Sequence, residues 1–131
     1  MNKNITELSE QLLDYPQAIA ELQIEILDKT QASAKVNDQI SSIESKIKAE
    51  INSAVDVNGK KIFSNAEARE AELVERTSFD SNLASLRQEN EAIQREIQEA
   101  RIKVETMSSQ QRNLRSLLHF FANSSELSDQ I

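Results

Sequence analysis

Apolar side chains recur through the first half of the chain at Ile5, Leu8, Leu12, Tyr15, Ile19, Leu22 and Ile26, in steps that alternate between three and four residues. The count continues through Lys29 and Ser33 to Val36, Ile40, Ile43 and Ile47, then slips one place to Ile51 and Ala54. The second half repeats the alternation from Phe79 through Leu83, Leu86, Asn90, Ile93, Ile97, Ala100, Val104, Met107, Gln111, Leu114, Leu118 and Phe121. A seam this narrow and this long belongs to a coiled coil or long helical bundle. The apolar face of a helix on a globular core is broader.

Punctuation places the ends of these helices. Asp14 with Gln17 reads as a capping box that restarts a helix, with Pro16 in its first turn, where the missing N–H costs little. Ser64 with Glu67 reads the same way for the second arm, and Asn123-Ser124-Ser125 as its stop. The prediction is helices over about residues 6–13, 14–54 and 65–122, a tight turn over 55–63 and a tail over 123–131, all in one elongated domain. At ~1.5 Å per residue, each long helix would span roughly 60 to 85 Å.

Between the arms, Val55, Val57, Ile62 and Phe63 flank Asn58-Gly59, a strong hairpin-turn signal. The connection is too short for another element, so the arms are expected to fold back antiparallel. Folding about residues 59 and 60 sets Ile26 opposite Ile93, Leu22 opposite Ile97, Ile19 opposite Ala100 and Tyr15 opposite Val104. It also sets Lys29 opposite Asn90, so these two polar seam residues are the candidates for fixing register and specificity, with Ser33 one turn away. Leu118 and Phe121 then lie beyond the end of the first arm, without a partner in their own chain. The fold class expected is all-α: an antiparallel coiled-coil hairpin with a short β-type turn at its tip, paired into a four-helix bundle.

Composition agrees with long helices. One Gly, one Pro and no Trp cannot supply the tight turns of a sandwich or barrel. The formal net charge of −7 disfavours broad attachment to nucleic acid or an anionic membrane. Absence of Cys excludes disulfides and thiolate metal sites and suits a reducing compartment. No run of 18 apolar residues occurs, and the expected location is the cytoplasm.

Aliphatic residues outside the seam mark a second interface. Leu13, Ile24 and Leu27 on the first arm and Ile102, Leu117 and Phe120 on the second exceed what one partner helix can cover, and Phe121 joins them in the cluster Leu117-Leu118-His119-Phe120-Phe121-Ala122. They predict a homo-oligomer, in the first instance a dimer. At the tip, Lys60 and Lys61 with Phe63 form a candidate contact for nucleic acid or an acidic partner. The chain has no Gly-rich phosphate loop, no nucleophile motif and no His-Glu metal spacing, so neither enzyme activity nor a cofactor is expected.

In outline, two coiled-coil arms joined by the β-type stretch Asp56 to Phe63 resemble the beta-type subunits of the prefoldin family, chaperones whose oligomers hold unfolded clients between helical arms. The resemblance is one of topology, carries no site residues, and implies a holdase. The residues themselves point first to a self-associating adaptor or scaffold without catalysis. Its alternatives are a nucleic-acid accessory protein working through Lys60 and Lys61, and the prefoldin-like chaperone.

Overall fold

The structure, a computed structural model, describes the backbone of residues 2–129 and the side chains of residues 5–124. Among the described residues there are three helices and no strand: α1 (Asn2–Ser53), α2 (Ala66–Phe79) and α3 (Ser81–Asp129). Two of the expected boundaries dissolve. α1 begins before residue 6 and runs unbroken through Pro16, so the helices expected over 6–13 and 14–54 are one. The carbonyl of Leu12 loses its intrahelical donor there, at a cost of about 3 kcal/mol. Leu12, Tyr15 and Ile19 stay partly buried on both sides of the proline, and this packing keeps the helix whole. α3 likewise passes through Asn123-Ser124-Ser125 to Asp129, because no Gly or Pro follows to stop it. Met1 and the last two residues of the expected tail lie outside the described residues.

The reversal after α1 is a three-residue hairpin loop. Gly59 N–H donates to the Asp56 carbonyl at 3.1 Å, Asp56 N–H donates to the Lys60 carbonyl at 2.8 Å, and Val55 and Lys61 form an antiparallel bridge. Gly59 takes φ of 80° while no non-Gly residue has positive φ, so Asn58 is not in the left-handed region that a two-residue Asn-Gly turn would need. The Asp56 carboxylate locks the loop by accepting from the N–H groups of Asn58 (2.8 Å) and Lys60 (3.0 Å).

α2 is capped by Asn65, whose side chain accepts from Ala68 N–H at 2.7 Å, instead of by the expected Ser64 box. A second unexpected cap divides the long second arm. Asp80 leaves the helical region (φ −76°, ψ 115°), and its carboxylate accepts from Leu83 N–H at 2.9 Å, ending α2 and starting α3.

The chain forms two compact units, one from residues up to Lys29 with those from Glu96 on, the other from Thr30 to Arg95. The central unit, 30–95, holds a core of Ile47, Ile51 and Leu83, against which Ile40, Ile43, Phe63 and Leu73 pack. Among the described side chains of the terminal unit, none over residues 5–29 is buried, and on the α3 side only Ile97 and Ala100 are. In both units α1 and α3 run antiparallel, as the contacts below establish.

Candidate functional site

In the central unit, Val36 and Leu83 are buried, while Ile40, Leu86 and Ile93 are half-buried. In the terminal unit Ile97 is buried, and Ile19, Leu22, Ile26 and Val104 are half-buried. Around the seam, however, the facing pairs differ from those expected. Asn90 meets Ser33, one helical turn from Lys29: Ser33 Oγ donates to Asn90 Oδ1 at 2.6 Å. Gln94 Nε2 donates to Ser33 Oγ at 2.8 Å, and Asn90 Nδ2 donates to Asn37 Oδ1 at 3.3 Å. Ser33, only 4 % exposed, thus sits in a side-chain network that satisfies its hydroxyl as both donor and acceptor.

Lys29 belongs to the terminal unit, where its Nζ reaches Glu96 at 2.6 Å and Glu25 at 3.4 Å. The hydrogen bond that Lys29 donates to Glu96 holds the ammonium above its ordinary pKa, partly opposed by desolvation and helped by the charges of both carboxylates. A lysine at a seam position has therefore turned its head outward onto a carboxylate pair. Tyr15 Oη donating to Gln110 Oε1 at 3.4 Å fixes the same unit's level further along. In the central unit Arg87 pairs with Glu44 at 3.0 Å.

The shift of one turn arises in the second arm. Beside α2, Ile51 and Asn52 line one hollow with Ala66, Arg69 and Leu73, close to the pairing expected about residues 59 and 60. Beyond the Asp80 break, Ile43 lines a hollow with Asn82 and Leu86, so the break takes up residues before α3 meets α1. Phe79, counted as the start of the seam, ends α2 and is 83 % exposed.

The C-terminal cluster does not overhang. Leu117 and Phe121 line a shallow hollow with Glu7, Leu8 and Gln11, and Leu118 is half-buried. Phe120 stands outward with its ring edge-on to Phe121, centroids 5.8 Å apart. The six positions expected for a second interface, Leu13, Ile24, Leu27, Ile102, Leu117 and Phe120, are all exposed and all belong to the terminal unit, while Val55, Val57, Ile62, Val74 and Phe79 are exposed in the central unit.

At the tip the candidate contact residues part company. Phe63 is turned into the core, with the Arg76 guanidinium 5.7 Å from its ring and Arg69 Nη1 donating to its carbonyl at 3.3 Å. Lys60 and Lys61 are exposed beside Val57, the fully exposed apex of the loop. Among the described residues no group of three or more His, Cys, Asp or Glu is placed to hold a metal ion, and no helix is long and apolar enough to cross a membrane. Compared with known protein families, curated proteins and solved structures, the chain matches none of them.

Proposed function

We propose that the protein is a self-associating helical adaptor or scaffold, whose α1–α3 seam is a coiled coil and whose terminal unit pairs with a second copy into a four-helix bundle. The supporting observation is surface. Six large apolar side chains of the terminal unit, Leu13, Ile24, Leu27, Ile102, Leu117 and Phe120, are each at least 45 % exposed. Burial of the terminal unit's exposed aliphatics at about 25 cal/mol per Å² gives association its driving force. Sedimentation equilibrium should therefore find a species heavier than 14.8 kDa; a monomer persisting at high concentration overturns the reading.

A second reading, contact of the tip with nucleic acid, draws on Lys60 and Lys61. Both are exposed, and the neighbouring Asp56 carboxylate is occupied by backbone amides. Salt-dependent binding lost on changing both lysines to Glu supports it, and absence of binding by the parent removes it.

A further inference from the structure

The two flanks of the terminal seam differ in chemistry. Residues that precede a seam position lie on one flank of their helix, and those that follow it lie on the other. Contacts show that the preceding sides of α1 and α3 meet: Tyr15 donates to Gln110, Lys29 reaches Glu96, and Glu7 and Gln11 line a hollow with Leu117. On α1 this flank carries Glu7, Asp14, Glu21, Glu25 and Asp28, and on α3 it carries Glu96 and Glu99. Of its lysines, Lys103 stands among these acids and Lys29 is already held by Glu25 and Glu96. The flank is acidic, and Leu117 and Phe120 are exposed on it.

On the opposite flank α1 presents Leu13, Ala20 and Leu27 with no charge among them. There α3 presents Arg101, Arg112 and Arg115 around a single acid, Glu105. All seven side chains are exposed. Among the described residues no ion pair engages the three arginines, and Arg112 donates to Ser109 of its own helix at 3.3 Å. One hairpin thus carries an acidic flank with apolar anchors and a basic flank with apolar anchors, on opposite sides where they cannot meet within the chain.

We infer that copies associate through unlike flanks, the acidic flank of one terminal unit docking on the arginine flank of the next. This rests on the self-association reading and specifies its geometry. A two-fold axis joins a flank to its own copy, which would set acids against acids or arginines against arginines. Pairing unlike flanks removes both repulsions and brings Leu117 and Phe120 to the surface that carries Leu13 and Leu27. The two-copy bundle is then the first step of assembly, since it leaves one flank of each kind free. Further copies add until a ring closes or a filament grows.

The test uses the full-length parent and two full-length variants, L117E/F120E on the acidic flank and R112E/R115E on the basic one, with circular dichroism confirming helix in each. In sedimentation velocity at rising concentration the parent should pass twice its 14.8 kDa. Each variant alone should associate about tenfold or more weakly, one for want of its apolar anchors and the other through reversed charge. Mixed in equal amounts they should form a heterodimer and stop there. Each supplies one intact flank, and the two altered flanks are both acidic. An interface between like flanks would instead spare one variant entirely and gain nothing on mixing. Either of those results, or a parent that stops at two copies, overturns the pairing of unlike flanks and leaves self-association standing. A monomeric parent overturns both.

Discussion

The central and terminal units are built from the same two helices by the same three-four count, yet they differ in how much they bury. In the central unit the return of the chain adds a short helix, and Ile51 and Leu83 reach 2 % and 0 % exposure beneath Phe63 and Leu73. In the terminal unit two helices face each other alone, and seam residues such as Leu12, Leu22 and Val104 stay half-exposed. Two helices can shield one side of a seam residue; a third element is needed to cover the other. Buried core is therefore the property that separates the two units.

The largest effect expected from breaking this contrast is at the core. Leu83→Ala should cost about 2–5 kcal/mol in urea unfolding, since the side chain is wholly buried. The same change at half-buried Leu22 should cost clearly less, and equal losses would erase the distinction. Pro16→Ala acts on the other unit in the opposite direction. Restoring a helical N–H to an exposed position should stabilise the terminal unit by up to about 3 kcal/mol, read as greater amide protection around Leu12.

How far these features were legible in the chain depends on what each rests on. The seam was legible because burial follows helical periodicity: the counted positions of α1 and α3 are buried or half-buried, while most of their neighbours are exposed. The break at Asp80 was not, because Arg69, Leu73, Arg76, Asp80 and Leu83 keep the three-four spacing across it. A count of apolar positions cannot see an interruption that preserves phase. The signal was chemical: Ser78, Asp80, Ser81 and Asn82 favour caps over helix interiors. Missing that break also misplaced the register, so Asn90 was matched to Lys29 when its partner is Ser33. That Leu13, Ile24, Leu27, Ile102, Leu117 and Phe120 share one unit follows only from the fold, as does the exposure of Val74 and Phe79 in the other.

Smaller changes sharpen the comparison. Ser33→Ala removes a hydroxyl that both donates and accepts inside the central unit, and should cost about 1 kcal/mol. Double-mutant cycles with Asn90→Ala should show coupling between the two positions. The terminal unit's own polar contact, Lys29 with Glu96, is exposed and should matter least. Its signature is in pH: because the folded state raises the Lys29 pKa, its contribution is fully present below the ordinary 10.5 and is lost as pH rises through the folded value. Lys29→Met should therefore flatten only the alkaline end of the stability profile.

Residue-resolved hydrogen exchange at two protein concentrations, one above and one below the dimer dissociation constant, tests the contrast most directly. Dilution should lower the protection of amides over residues 5–29 and 97–124 while leaving those around Ile47, Ile51 and Leu83 unchanged. Protection that is independent of concentration in both units, or that falls equally in both, would contradict the account.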